Sequence, residues 1–385
     1  MLVLFFLLLL LPPTWLSVHV LRLHSWPRLA RYAAVGLLFL ISQTFTINHF
    51  VFGSLAGPQM PRNLLIGQSF ALLLEIFLFL WFLARDVLRY SASKSGFDSG
   101  RRRFLASAPL AGFCFSCGFS GTGVANGLAV PIVREYECPL ERLPKALEGF
   151  RLCFLSDLHV GPQTTVDWVL SCVARIQACQ PDCIVFGGDL SDGLPSYRDS
   201  EGLLRSEVFR HFKGLSAPSG LWACTGNHEY YSDYAAWMRL YEEIGIRFLH
   251  TERHILRVRG ESLVLIGRDD RQGDRYFGRP AKTLESLEPL PPRERAVRIL
   301  FDHRPERAQE NASIADLQLS GHTHGGQCYG MDRLVARANH GYVRGWYTVD
   351  GMSLYVSNGA GLWSGFPVRI GVPAEIASIT LVPGR

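Results

Sequence analysis

Apolar residues follow two regimes along this chain. Up to about residue 130 they form long runs rich in Leu, Phe, Ala and Gly, with charges confined to short clusters. Beyond that point short apolar runs alternate with amphipathic stretches, and charged residues intermix with them. The pattern divides the 385 residues into a membrane region, residues 1–130, and a globular domain, residues 131–385.

A helix of about 20 apolar residues spans a bilayer core, because backbone amides must be paired internally where water is absent. Four stretches approach that length, at residues 2–21, 32–52, 64–84 and 104–124. Pro12 and Pro13 interrupt the first, and several Gly and Ser weaken the last. Residues 1–11 carry no charged side chain, so the first stretch reads as a retained span; a cleaved signal would need a positive leader. Arg22, Arg28 and Arg31 follow the first span, Arg62 lies between the second and third, and Arg85, Arg89, Lys94, Arg101, Arg102 and Arg103 precede the fourth. Positive charge marks cytoplasmic connections. Both termini, and the globular domain with them, are therefore expected on the extracytoplasmic face of the cytoplasmic membrane. The Arg101-Arg102-Arg103 run also resembles a twin-arginine export signal, which has the same outcome. Glu75 falls mid-span, where an ionisable group is costly, and is given no catalytic role.

In the globular half, residues 150–155 read as a buried strand, 166–178 as a helix and 183–186 as a second strand, which is β-α-β order. Further strands are expected at 220–223, 262–266, 297–301, 317–319, 353–356 and 376–381, and helices at 203–212 and 234–244. The Pro-rich residues 289–292 suit a surface connection. The expected class is an α/β sandwich with at least two sheets.

Charge and cysteine usage narrow the picture. The net charge of +5 is modest and much of the excess flanks the apolar segments, which argues for membrane topology and against a nucleic-acid partner. Nine cysteines show no disulfide framework, so at least one thiol is free. Cys114 and Cys117 have the spacing of a redox or zinc pair, but no second pair follows and they are read as apolar packing.

The chemistry lies in where Asp, His and Asn fall relative to the strands. Asp157 and His159 follow the first strand, Asp189 the second and Asn227-His228 the third, while His303 follows strand 297–301 and His322 and His324 follow strand 317–319. Loops at strand ends are where an α/β scaffold gathers functional groups. Mixed oxygen and imidazole ligands without cysteine suit two divalent cations such as manganese, iron or zinc, and a carboxylate can bridge them. Two such ions can stabilise both the attacking and the leaving oxygen of a phosphoryl displacement, so no nucleophilic serine or cysteine is required.

Asp157-Leu158-His159, Gly188-Asp189, Gly226-Asn227-His228-Glu229 and Gly321-His322-Thr323-His324, together with His303, resemble the ordered motif series of the calcineurin-like metallophosphoesterases. The resemblance covers roughly residues 130–385. The Gly325-Gly326-Gln327 extension is similar to the bacterial membrane-anchored branch that includes UDP-2,3-diacylglucosamine hydrolases. The resemblance implies a two-sheet β-sandwich flanked by helices. It also implies that Asp157, His159 and His324 hold one metal, that Asn227, His303 and His322 hold a second, and that Asp189 bridges them. His228 would then be the general acid facing the leaving-group oxygen, not a ligand. Asp302 stands before His303 where the family commonly has a small polar residue.

Asp192 is expected to cap or support, Glu229 to orient the site, and His19, His24, His49, His211, His250, His254 and His340 to have ordinary surface or core roles. Gly187, Gly188, Gly226, Gly321, Gly325 and Gly326 flank the site residues and suit tight turns or close substrate approach. The segment from Ser357 to Trp363 resembles the family's closing segment and is expected to shape the substrate rim; Trp346, Trp363 and Phe366 suit packing equally well. Arg344 and Arg369 are candidate phosphate contacts on charge alone. The expected function is metal-dependent hydrolysis of a phosphate ester or phosphoanhydride, with the membrane region motivating a lipid or lipid-linked phosphate. A non-catalytic membrane sensor or scaffold is the alternative; it predicts lost ligand positions, and none is lost. The apolar, largely uncharged spans argue against a transporter.

Overall fold

In the computed structural model residues 8–93, 99–198, 202–278 and 296–384 are described, the side chains of residues 92–108 excepted. The Pro-rich residues 289–292 lie outside them. The chain divides into two units, Met1–Leu55 with Asn63–Ala125, and Ala56–Arg62 with Asn126–Arg385.

The first unit is helical. Pro12 and Pro13 sit in the first turn of the helix Leu11–Leu21, where their missing N–H groups cost nothing, so they begin a helix instead of breaking one. Residues 32–52, expected as one span, divide into helices Arg28–Ser42 and Thr44–Val51 bent by 65°. The side chains at the break explain it: Ser42 Oγ donates to Phe39 O at 2.9 Å and Thr44 Oγ1 to Ile41 O at 2.7 Å, giving the turn's carbonyls alternative partners. The helix Arg62–Ser93 is long and apolar enough to cross a bilayer, and the bent pair would make a second span if it acts as one. Helix Ser99–Gly127 covers the fourth apolar stretch. All nine cysteines are free, and Cys114 is exposed on that helix, contrary to the packing role expected for it.

Among its described residues the second unit holds twelve strands in two six-stranded mixed sheets. In chain order they are β1 Ile132–Leu140, β2 Arg151–Leu155, β3 Cys183–Phe186, β4 Leu221–Ala223, β5 Ile246–Phe248, β6 Glu252–Val258, β7 Glu261–Arg268, β8 Ala296–Asp302, β9 Leu317–Ser320, β10 Gly345–Val349, β11 Met352–Val356 and β12 Glu375–Pro383. One sheet runs β1-β12-β2-β3-β4-β5 and the other β10-β11-β9-β8-β7-β6. Strands β2, β3, β4 and β5 are mutually parallel, as are β7, β8, β9 and β11.

Alternation along the inner strands builds the layers, because successive side chains point to opposite faces. Leu152 and Phe154 of β2 and Cys183 and Val185 of β3 share one core with Leu263, Leu265, Ile299, Phe301 and Leu319 of the other sheet. Their neighbours Cys153, Leu155, Ile184 and Phe186 turn to the far face and pack against Val169, Cys172 and Ile176 of helix Val166–Ala178 and Trp237, Leu240 and Tyr241 of helix Tyr234–Glu243. Val264, Ile266 and Leu300 do the same on the outside of the second sheet, against Ala308 and Ala312. The result is a two-sheet β-sandwich flanked by helices, as expected. Burial on both faces is why these strands read as near-continuous apolar runs.

Candidate metal centre

The carboxyl ends of five inner strands converge. Asp157 lies two residues past β2, Asp189 three past β3, Asn227 four past β4, His303 one past β8 and His322 two past β9. Backbone hydrogen bonds lace these loops together: Asp157 N donates to Gly188 O and His159 N to Asp189 O, both at 3.0 Å, and Gly321 N donates to His303 O at 2.9 Å. Asp157, His159, Asp189, His322 and His324 all have φ between +44° and +70°. Each such left-handed residue costs about 1–3 kcal/mol and persists only where the surroundings hold it. Five together mark a site that the fold stabilises at its own expense. The glycines serve close approach: a Cβ on Gly226 would lie 2.2 Å from Asp189 Oδ1, and one on Gly321 would lie 2.3 Å from Asp157 Oδ2.

The donor atoms fall into overlapping groups. Asp157, His159 and His324 each offer an atom within 4.8 Å of the others, and so do Asp189, His303 and His322. His159 Nε2 lies 3.9 Å from Asp157 Oδ1 and 3.7 Å from Asp189 Oδ2. His303 Nε2 is 3.1 Å from Asp189 Oδ2, and His324 Nε2 is 3.6 Å from Asp157 Oδ1. His228 forms a third group with His159 and Asp189. Asn227, the remaining expected ligand, is buried in the same loop, with its Oδ1 unpaired.

The chemistry of this set fits cations. His159 Nε2 and Asn227 Oδ1 are buried without a hydrogen-bond partner among the described residues, and His303 Nε2 has none beyond its 3.1 Å approach to the Asp189 carboxylate. Buried polar atoms are nearly always paired, so these orphans beside two carboxylates call for an electrophile. Asp157 and Asp189 are buried side by side. Holding two carboxylates out of water costs several kcal/mol each unless positive charge faces them.

The supporting groups set the orientation of the rings. Asp192 Oδ1 accepts from His159 Nδ1 at 2.9 Å and from His228 Nδ1 at 2.6 Å. His303 Nδ1 donates to Gly187 O at 2.7 Å, which turns its Nε2 toward Asp189. The Glu229 carboxylate accepts from the amides of Asp189 at 3.0 Å, Leu190 at 2.7 Å and Gly226 at 2.6 Å, tying the β3 and β4 loops together. Burial disfavours an imidazolium at 228, but the facing Asp189 and Asp192 carboxylates outweigh it and push His228 up to about 9. The same contest at Asp192 is won by His159 and His228, which hold its carboxyl far below the usual range. Burial, reinforced by neighbouring Arg304, keeps His322 well below the ordinary histidine value.

One expected phosphate contact is corrected. Arg369 is fully buried, and its two terminal nitrogens donate to the carbonyls of His324, Asn358, Gly359, Gly361 and Val372, so the fork that would grip a phosphate is already taken. Arg344 is engaged by Gly325 O at 2.6 Å and Asp332 Oδ1 at 2.7 Å. Both arginines brace the loop around His324. Sequence reasoning missed Arg304, whose guanidinium is anchored on buried Asp270 at 2.5 Å and reaches His322 Nε2 at 2.8 Å. Its place directly after His303 was the available signal. Asp302 is buried against Arg307 and Asn311, so its charge is neutralised away from the centre.

The calcineurin-like phosphoesterase family model matches residues 150–326. A Caenorhabditis elegans protein named as a metallophosphoesterase is 31% identical over 370 residues, which cover 90% of this chain and 73% of the relative. The chain belongs to the calcineurin-like phosphoesterases. A Helicobacter pylori (strain J99) metallophosphoesterase is 29% identical over 372 residues, 92% of this phosphoesterase and 91% of the relative. A Bos taurus relative named "transmembrane protein with metallophosphoesterase domain" is 29% identical over 310 residues, 77% of this chain and 68% of its own. This phosphoesterase is a hydrolase of phosphoric esters, and its family and its His/Asp clusters together point to a divalent metal centre. The apolar helix Arg62–Ser93 and the name of the Bos taurus relative suggest membrane association.

Proposed function

We propose that the protein is a dinuclear phosphohydrolase in which Asp157, His159 and His324 hold one divalent ion, Asn227, His303 and His322 hold the other, and Asp189 is shared. The observation that carries this reading is the set of unpaired, buried ligand atoms around Asp157 and Asp189. Manganese suits the oxygen and imidazole donors best, with iron or zinc also compatible. When bound, such a pair supplies charge stabilisation for a phosphoryl group and a water nucleophile at neutral pH.

The chain's own residues do the rest. His228 gives its Nδ1 hydrogen to Asp192, so its Nε2 is the nitrogen left for substrate. The same carboxylate, hydrogen-bonded to the ring, favours the protonated imidazole, as protonation of a leaving oxygen requires. Asp192 leaves His159 Nε2 as the acceptor that a cation needs. Glu229 holds the two loops that carry Asp189 and His228 in register.

The substrate is a phosphate ester or phosphoanhydride, and the apolar helices favour a lipid or lipid-linked phosphate. The N-terminal region is a multi-pass anchor in the cytoplasmic membrane, with the catalytic domain on its outer face; the arginine clusters beside the apolar stretches support that orientation. A reporter enzyme active only outside the cytoplasm, fused after Arg385, is expected to be active. An inactive fusion at full expression would reverse the orientation. Purified protein is expected to hydrolyse p-nitrophenyl phosphate or its bis ester with added manganese, to stop on chelation and to recover when manganese is restored. Turnover that persists through chelation would refute the metal-dependent reading.

A further inference from the structure

The segment after β11 lies beyond the family match, yet it reaches the centre. Ala360 N donates to Ser156 O and Gly361 N to Asp157 O, both at 2.8 Å, and buried Arg369 clamps the Asn358, Gly359 and Gly361 carbonyls. Further along the segment Ser364, fully buried, donates twice to Asp192 Oδ2, from its amide and from its hydroxyl, each at 2.7 Å. The other oxygen, Asp192 Oδ1, is the one that accepts from His159 and His228. An ionised carboxylate offers about four lone-pair sites. At Asp192 these two imidazoles and the two Ser364 donors fill them.

We propose that Ser364 is a positioning residue which, by fixing the Asp192 carboxylate, sets the ring orientation of His159 and His228 together. The proposal rests on the roles given to those histidines under the proposed function. A carboxylate turns readily about its Cβ–Cγ bond, and the Ser364 amide alone leaves one Oδ2 lone pair unfilled in a dry site. The hydroxyl closes that freedom. It is seated tightly, since a Cβ on Gly161 would lie 2.1 Å from Ser364 Oγ. One serine thus governs both a ligand ring and the proposed acid.

The test compares full-length wild type, Ser364→Ala, Asp192→Ala and the double variant. Loss of an outer partner typically weakens a metal ligand 10–100-fold. In equilibrium titrations with manganese, Ser364→Ala is expected to weaken the tighter ion about 10-fold and Asp192→Ala about 100-fold, and the double variant should match Asp192→Ala alone. In turnover, Ser364→Ala should leave KM within about 2-fold. Its kcat should fall about 5-fold on p-nitrophenyl phosphate and about 50-fold on phenyl phosphate, because a displaced acid matters most where the leaving group is poor. Ser364→Cys, which keeps a weak donor, should fall between wild type and Ser364→Ala and serves if the alanine variant does not fold. Wild-type manganese affinity in Ser364→Ala, additive losses in the double variant, or an equal kcat loss for both esters would overturn the proposal. A wild type that binds manganese but cleaves neither ester would refute the phosphohydrolase reading, and the titration would still decide Ser364.

Discussion

Asp189→Asn is expected to lower the bound divalent ions from two to one or none and to cut kcat on the order of 10³-fold or more, as for members of a catalytic unit. Asparagine has nearly the same shape and tolerates the left-handed backbone that Asp189 adopts at φ 54°, so the substitution tests charge and bridging, not folding. Asp189 Oδ1 also accepts from His228 N at 2.7 Å, while Oδ2 faces both His159 and His303. An amide could keep one of these contacts as an oxygen acceptor but would present NH₂ to the other side. Metal analysis and kinetics on the same preparation check the prediction. Two ions with near-normal turnover would remove Asp189 from the bridge.

His228→Asn should behave differently. Turnover is expected to fall roughly 10²–10⁴-fold, the usual contribution of a positioned acid, with both ions retained. The loss should shrink for aryl esters whose leaving groups need no proton. In wild type, kcat should decline in alkali as the imidazole loses the proton that its hydrogen-bonded partner Asp192 favours, and the variant should lack that limb. Equal metal loss in His228→Asn and Asp189→Asn would make His228 a ligand, a role that its distance group with His159 and Asp189 leaves geometrically open.

The inner strands were legible because burial on both faces makes them apolar throughout. The four strands that sequence reading passed over, β1, β5, β6 and β10, are the four sheet edges. Edge strands are half solvated: β1 reads Ile-Val-Arg-Glu-Tyr-Glu-Cys-Pro-Leu and β6 reads Glu-Arg-His-Ile-Leu-Arg-Val, patterns whose polar positions look like loop. The candidate ligand positions were legible for a related reason, since each follows an inner strand by one to four residues.

What chain order could not show was the work of residues far apart in sequence. Ser364 meets Asp192 across 172 positions, and neither residue type is unusual where it stands. Arg369 looked like a phosphate contact because charge is visible in sequence and burial is not; five carbonyls claim it instead. The left-handed backbone at Asp157, His159, Asp189, His322 and His324 was equally hidden, because only glycine advertises that conformation. The break after Ser42 escaped notice because Ser and Thr are neutral in a hydropathy average, whereas their hydroxyls bend helices locally.

Anomalous diffraction from manganese-loaded crystals of the full chain tests the centre most directly. Two peaks roughly 3.5–4 Å apart are expected, one among Asp157, His159 and His324, the other among Asn227, His303 and His322, both touching Asp189. A single peak, or a pair that leaves Asp189 untouched, would contradict the account.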